Sequence, residues 1–341
     1  MTGPEGKAFR EWVEASTGFR DVCLGPSLSG GNSNVTRLVE TAQGRLVVRH
    51  PPTNVISDKA GAGIAREFAA LRVVYGQAPV AEPIAWCDDP AVLGQPFSLT
   101  RFVDGVTITN RLPGTYRPGI DTIDTLGVAM ISALGQVHRV DPQELIAEKF
   151  GHPDGFVPRQ IDRWVGVRGR DSVRPLPRFG EVADWLRANC PAPAAPRIVH
   201  CDFHLDNCLA SQGQPQIEAI LDWEMATIAD PRIDLGLALF FWNRNPDQRL
   251  GFPAIQAISN HRGVISRHAL AEVWAKISGV EPDDLSYFMV FMAWRLAAIV
   301  EGAYVLCRQG KVETPYARQL EEDVPALLDE AAAIIETGTV Q

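Results

Sequence analysis

Three side chains with oxygen ligands lie close together in the sequence, at a spacing typical of phosphoryl transfer. Asp202 follows the apolar pair Ile198-Val199, Asn207 comes five residues later, and Asp222 follows a second apolar run, Ala219-Ile220-Leu221. A carboxylate can orient and deprotonate a hydroxyl group, and a second carboxylate with a carboxamide can hold Mg²⁺. The pattern therefore predicts Asp202 as a base and Asn207 and Asp222 as magnesium ligands.

Short strands and helices must position these residues. The runs before Asp202 and Asp222 predict two short strands joined by a turn. Upstream, β-branched segments at residues 21–28, 34–41, 45–50, 80–86 and 97–103 predict strands, with helices over 6–17 and around Ile64 to Tyr75. After Asp104-Gly105 the period becomes helical. We therefore predict an α+β fold with a small lobe, residues 1–103, made of an antiparallel sheet plus a helix, and a larger, mainly helical lobe, residues 104–341.

Composition excludes several classes of protein. The net charge of -9 and pI near 5.3 argue against a nucleic-acid or membrane-surface binder, because such partners favour positive potential. The six cysteines are scattered, as free thiols in a reducing cytoplasm would be, and no signal peptide is evident at the N-terminus. The apolar stretch Leu285 to Leu306 contains Arg295 and Glu301, so we expect a buried core helix rather than a membrane span.

Other residues suit anion binding. The small residues of the turn Gly30-Gly31-Asn32-Ser33-Asn34 would let backbone N–H groups approach a phosphate, although a plain hairpin turn is an alternative. Arg49 on a strand and Glu67 on a helix could form an ion pair, or be two exposed charges. Residues 150–180 contain Arg159 and Arg163 and predict either a basic binding loop or a solvated loop.

The motifs taken together resemble those of the aminoglycoside phosphotransferase-like (choline kinase-like) family of small-molecule kinases, which shares the bilobal protein-kinase fold. The resemblance covers about residues 20 to 310 and has elements in family order. These are Gly30 to Asn34, Arg49, Glu67, the hinge Phe97 to Gly105, Asp202, Asn207, Asp222-Trp223-Glu224 and Asp230 to Gly236.

The resemblance implies ATP and Mg²⁺ as cofactors, with the adenine against a hinge that includes Thr100 and Phe102. Arg49 stands where protein kinases carry a phosphate-contacting Lys, and Cys201 stands where Gly or Arg is usual. An Asp at position 234 would brace the catalytic loop. His204, Glu224, Arg159 and Arg163 become candidate substrate contacts, although His204 could equally be a solvated loop residue. The resemblance implies the following nucleotide-binding, catalytic and metal-binding residues: Gly30, Gly31, Asn32, Ser33, Asn34, Arg49, Glu67, Thr100, Phe102, Asp202, Asn207 and Asp222.

Within that family, the chain most resembles the subgroup fused to or encoded beside acyl-CoA dehydrogenases, through Arg49 to Pro52, Asp89 to Phe97 and Gln160-x-x-Arg163-Trp164. This implies a hydroxyacyl-CoA or related hydroxy acid as the alcohol that accepts the phosphate, and a cytoplasmic monomer or homodimer. An aminoglycoside is the alternative acceptor. Other classes are an inactive kinase-fold binding protein and a metal-dependent hydrolase built on the alternating set His200, Asp202, His204 and Asp206.

Overall fold

The computed structural model describes residues 4–28, 34–52 and 58–338, so Gly30, Gly31, Asn32 and Ser33 of the predicted phosphate-binding turn lie outside the described residues. The N-terminal part contains a five-stranded antiparallel sheet in the order β1-β2-β3-β5-β4. Its strands are β1 (Cys23–Ser27), β2 (Val35–Thr41), β3 (Gly44–His50), β4 (Pro83–Cys87) and β5 (Phe97–Arg101). Its helices are α1 (Pro4–Thr17), α2 (Asp58–Val74) and α3 (Pro90–Leu93).

The C-terminal part is mainly helical. Its helices are α4 (Ile120–Arg139), α5 (Gln143–Ala147), α6 (Phe156–Asp171), α7 (Pro177–Ala188), α8 (Arg232–Phe241), α9 (Arg267–Ser278), α10 (Leu285–Arg308) and α11 (Pro315–Thr337). Two small antiparallel pairs join β6 (Arg197–Val199) to β9 (Thr227–Ala229) and β7 (Cys208–Ala210) to β8 (Ile217–Ile220). The predicted α+β, bilobal kinase-like fold is confirmed.

Buried hydrophobic residues form two cores. The smaller core packs α1 on the sheet, where the rings of Phe9 and Phe97 lie 5.4 Å apart, because the apolar stripe of an amphipathic helix must be covered. The larger core lies among the C-terminal helices and includes Leu71 and Val74 of α2. Helix α2 therefore packs between the N-terminal sheet and the C-terminal core. The lobe boundary after residue 103 stays a prediction.

Two predictions about local structure are wrong. The strands before Asp202 and Asp222 are not joined by a single turn, since β7 lies between β6 and β8; β6 pairs with β9, and β8 pairs with β7. Residues 156–171 are a helix and not a loop. Val157 and Ile161, four residues apart, bury one face of this helix, and its exposed arginines and glycines conceal the period.

Helix α10 is long and apolar enough, by length and composition, to cross a membrane, and 67% of its most apolar window is buried in the fold. Arg295 and Glu301 in its interior are themselves only 5% and 3% exposed. Helix α10 packs against α8 and α11, as the prediction of a core helix requires.

Candidate active site

A buried carboxylate holds the loop that carries Asp202. Asp234, in the first turn of α8, accepts hydrogen bonds from the backbone N–H groups of His200 (2.6 Å) and Cys201 (2.7 Å). His138 Nε2 lies 3.2 Å from the same carboxylate. Because Trp274 Nε1 donates to His138 Nδ1 (2.9 Å), the proton of a neutral His138 is on Nε2 and points at Asp234. Three helices, α4, α8 and α9, thus fix one loop.

The side chains on either side of the base also brace this loop. His200 Nε2 lies 2.7 Å from the carbonyl oxygen of Leu221, and Arg295 of α10 donates to the carbonyl of Cys201 (3.2 Å). Cys201 has a left-handed backbone with φ of +67°. Burial raises the pKa of its thiol to about 12, so the thiol stays neutral and has no part in proton transfer.

The loop brings Asp202, Asn207 and Asp222 to one place. Asn207 Nδ2 donates to the backbone carbonyl of Asp202 (2.8 Å) and to its Oδ2 (3.1 Å), which orients the carboxylate. Leu221 N donates to the backbone oxygen of Asn207 (2.8 Å), so the residue that follows, Asp222, starts beside Asn207. Asp222 then adopts a left-handed conformation with φ of +63°.

This donor set fits Mg²⁺ better than a metal held only by protein. The Asp222 carboxylate and the Asn207 carboxamide offer hard oxygen atoms, and Mg²⁺ is usually held by one or two such groups plus phosphate oxygens and water. In the described ranges, no group of three or more His, Cys, Asp or Glu side chains is placed to hold a metal ion. A hydrolase site built on His200, Asp202, His204 and Asp206 therefore finds no support in the geometry.

Arg49 lies between three carboxylates. Its Nη1 is 3.0 Å from Glu67 Oε1, so the predicted strand-to-helix ion pair is confirmed. Its Nη2 is 2.6 Å from Asp222 Oδ1 and 3.8 Å from Glu224 Oε2, and Asn34 Nδ2 donates to Glu224 (2.8 Å). The Arg49 and Glu67 side chains are 16% and 8% exposed. Arg49 therefore links β3 to α2 and to the end of β8.

Burial and neighbouring charges shift the pKa values of Glu67 and Arg49. It raises the pKa of Glu67 to about 7, although the positive charge of Arg49 acts in the other direction. Burial alone would lower the pKa of Arg49, but the charges of Glu67, Asp222 and Glu224 raise it above its usual value. Among the described residues, Arg49 Nε and Glu67 Oε2 are buried with no hydrogen-bond partner. The cluster therefore has donor and acceptor capacity in reserve.

The candidate substrate contacts separate into two groups. His204 is 9% exposed, with Nε2 at 3.8 Å from Asp202 Oδ1, so it lies beside the predicted base and is not a solvated loop residue. Arg159 and Arg163 are exposed on α6, where Arg159 donates to the carbonyl of His152 and Arg163 lies over the ring of Trp164. No contact within the described part of the chain joins these arginines to Asp202.

The hinge is fixed on both sides. Thr100 is half-buried in β5, opposite Val47 of β3. The N–H of Phe102 donates to Arg45 O (3.1 Å), and its ring lies 4.0 Å from the Arg45 guanidinium, so this N–H already serves the sheet. Just beyond, a Cβ on Gly105 would come within 2.9 Å of the backbone oxygen of Ala210, which explains the glycine at this close approach.

Three residues around the site had not been predicted. Gln256 is fully buried, with its Oε1 accepting from Leu205 N (2.7 Å) and its Nε2 donating to the carbonyl of Ala238 (3.1 Å). Arg66, next to Glu67, donates to the carbonyl of Ala226 (3.2 Å). Tyr316 is 42% exposed; partial burial and the charge of Asp202 raise the pKa of its hydroxyl. None of them belongs to a local pattern that could have revealed it.

Comparison with known proteins gives the family. A model of the phosphotransferase enzyme family, APH, matches residues 26–268. The chain belongs to this family. It is 27% identical over 296 residues to acyl-CoA dehydrogenase family member 10 of Mus musculus, covering 85% of this chain and 27% of that protein. It is 28% identical over 293 residues to probable acyl-CoA dehydrogenase IBR3 of Arabidopsis thaliana, covering 80% and 35%.

The phosphotransferase thus spans about a quarter to a third of the length of these curated relatives. Among solved structures, it resembles a putative aminoglycoside phosphotransferase from Ralstonia eutropha JMP134, with a TM-score of 0.81, 24% identity and coverage of 96% and 98% of the two chains. The GDP complex of aminoglycoside 2'-phosphotransferase-IIIa has a TM-score of 0.61 at 16% identity, covering 96% and 99%. The predicted enzyme class, a phosphotransferase, is confirmed.

Proposed function

We propose that the phosphotransferase is an ATP- and Mg²⁺-dependent kinase that phosphorylates the hydroxyl group of a hydroxyacyl-CoA or a related hydroxy acid. The observation that carries the reaction is Asp202, oriented by Asn207 Nδ2 beside Asp222. The acceptor rests on a separate argument, namely that the curated relatives are named as acyl-CoA dehydrogenases. Cytoplasmic location and a monomeric or homodimeric state belong to the same proposal.

In the mechanism, Asp202 would accept the proton of the substrate hydroxyl and so activate that oxygen for phosphoryl transfer, with ADP as the leaving group. The carboxylate is 34% exposed, so a substrate can reach it, while Asn207 fixes its orientation. When bound, ATP supplies the phosphoryl group and Mg²⁺ offsets its negative charge. Asn207 Oδ1 and the Asp222 carboxylate would hold the metal ion. Positioning by the braced loop supplies much of the rate.

Arg49 would contact phosphate oxygens. Its guanidinium presents several donors in one plane, and Glu67 holds Nη1 in place. Nη2, now on Asp222, is the end that can turn to a phosphate when that carboxylate holds Mg²⁺. Asn34, the last residue of the predicted phosphate-binding turn, donates to Glu224, which also lies near Arg49. His204 is placed to contact the acceptor hydroxyl near Asp202.

The test is Mg²⁺-dependent ADP release over a panel of 3- and 4-hydroxyacyl-CoAs, free hydroxy acids and aminoglycosides. We expect turnover with a hydroxyacyl-CoA, and a fall in kcat of about 10²–10⁴ in Asp202→Asn because a general base is lost. Binding of ADP should be unchanged in this variant, since Asp202 is not assigned to the nucleotide. Asp283→Asn, at an exposed site, is the matched control.

The outcomes separate the reaction from the acceptor. Full turnover by Asp202→Asn would contradict the mechanism whatever the substrate. Turnover with aminoglycosides alone would support the mechanism but show that the acceptor is an aminoglycoside. Binding of ATP with no ADP release in the presence of any panel compound would favour the inactive binding protein.

A further inference from the structure

A cavity of about 300 Å³ lies between α6, α7 and α10. Val165, Leu176, Phe179 and Ala183 give it an apolar wall, and Arg168 and Glu301 are among its polar lining residues. Its volume is at the lower end of the range for small-molecule sites. A small organic ligand would fit in this space.

This cavity is separate from the active site. Helix α10 meets the catalytic loop through Arg295, which donates to Cys201, and meets the cavity through Glu301. The two positions are about 9 Å apart along the helix axis and on different faces of it. The cavity is therefore not an extension of the cleft that contains Asp202.

Among the described residues, the charged side chains that line the cavity have ion-pair partners, with the exception of Arg168. Arg174 donates through Nε (3.1 Å) and Nη2 (2.6 Å) to the two oxygens of Glu301. Arg187 bonds to Asp184 (3.1 Å) and to Asp162 (3.2 Å). The carboxylate in the wall is thus satisfied by Arg174, so its charge does not dominate the cavity.

Arg168 is the exception. Its Nε and Nη1 atoms are buried and have no hydrogen-bond partner in the described ranges. Burial lowers the pKa of Arg168, and the charges of Glu301 and Asp171 offset only part of this effect. Two buried guanidinium nitrogens without partners are costly, so a negative charge in the cavity beside the Arg168 guanidinium offsets part of that cost.

We propose that this cavity binds a small organic anion, a carboxylate or phosphate monoester with an apolar group, whose head accepts from Arg168. The apolar group packs against Phe179 and Val165. The site is independent of the proposed kinase reaction, so it stands or falls separately from it.

The test titrates the protein with hexanoate and, separately, with phenyl phosphate, while ADP and Mg²⁺ fill the nucleotide site. The readout is the NMR signal of the Arg168 Nε–H group, identified by its disappearance in Arg168→Met. We expect this signal to shift saturably with at least one probe, which also distinguishes carboxylate from phosphate ligands. Inorganic phosphate should bind more weakly than phenyl phosphate, because it lacks an apolar group. Equal binding of the two phosphates would overturn the apolar half of the proposal.

Three variants complete the experiment, with affinity measured by calorimetry. Arg168→Met should weaken binding about tenfold or more, since a charged donor is lost, whereas Arg170→Met, exposed on the same helix, should not. In Gly180→Leu, the new side chain enters the cavity from α7, where a Cβ meets no atom within 4 Å, and binding should fall about tenfold by occlusion. This change favours the helix, so the variant folds even if Arg168→Met does not. Unchanged affinity in Gly180→Leu, or no saturable binding to the wild type, would overturn the site.

Discussion

Two neighbouring parts of the candidate site are held in opposite ways. One is the loop that carries Asp202, called the catalytic loop here, and the other is the Arg49 cluster, made of Arg49, Glu67, Asp222 and Glu224. In the loop, the Asp234 carboxylate is filled by His200 N, Cys201 N and His138, and His138 is itself bonded by Trp274. In the cluster, one guanidinium serves three carboxylates and still has an unpartnered Nε within the described residues. The hydrogen-bond capacity of the Asp234 carboxylate is filled, whereas the Arg49 cluster has capacity left over.

The difference indicates which region is expected to change when ligands bind. A fully paired buried network has one low-energy arrangement, because any movement leaves a polar group unsatisfied. A guanidinium divided between Glu67, Asp222 and Glu224 can exchange one partner for another at low cost. We therefore assign the fixed geometry of catalysis to the loop and the response to nucleotide to the cluster.

The largest expected effect comes from breaking the saturated region. Asp234→Ala leaves the buried N–H groups of His200 and Cys201 without an acceptor, and each should cost about 1–3 kcal/mol of the free energy of unfolding. Urea denaturation measures this loss. Asp234→Asn, which keeps one acceptor oxygen, is the matched control and should lose less. A loss within about 0.5 kcal/mol for Asp234→Ala, as for a surface change, would contradict the comparison.

A smaller effect is expected from Arg49→Lys. An ammonium group is a point charge, so it cannot bridge Glu67 and Asp222 with a planar fork as Arg49 does. We expect the Kd for ATP to rise about tenfold, the equivalent of one charge-assisted hydrogen bond, with little change in stability. Calorimetric titration of ATP with Mg²⁺ measures it, and Arg37→Lys on the neighbouring strand β2 is the control. Equal ATP affinities of Arg49→Lys and the wild type would show that a positive charge at residue 49 suffices for ATP binding without the planar guanidinium.

A third expected effect is a dependence of stability on pH. Burial raises the pKa of Glu67 from 4.5 to about 7 in the folded state, so the folded protein binds more protons than the unfolded chain between these values. The contribution of Glu67 to the free energy of unfolding is present below pH 4.5 and is lost as pH rises to about 7. Urea denaturation of wild type and Glu67→Gln at about pH 5 and about pH 8 isolates it. A wild-type advantage that grows with pH would mean that Arg49 outweighs burial.

The spacing of residues in the sequence predicted those parts of the site whose residues lie close together in the chain. Asp202 and Asn207 lie on one loop, so their separation in sequence constrains their separation in space. The pair Arg49 and Glu67 was predicted in the same way, from a strand and the helix that follows it. The assigned roles of these residues stay predictions that the variants above address.

Partners distant in sequence were not predictable. Strand β6 pairs with β9 rather than with the strand that precedes Asp222, because the hydrophobic pattern of a three-residue strand does not specify a partner. Gln256 has a left-handed backbone conformation and accepts a hydrogen bond from Leu205 N, 51 residues away in the sequence. No periodic pattern predicts such a contact. For Arg159 and Arg163, charge suggested binding, but the helix exposes them away from the base.

Helix α10 has a consequence for the synthesis of the protein. Its apolar surface is covered in part by α11, which the ribosome makes afterwards, so α10 emerges before its cover exists. A nascent segment of this length and hydropathy is a candidate for membrane insertion or for aggregation. Arg295 near its middle adds about 2.5–3.5 kcal/mol to the cost of insertion. The arginine that contacts the loop carrying Asp202 in the folded protein therefore also raises the free energy of inserting the unfinished chain into a bilayer.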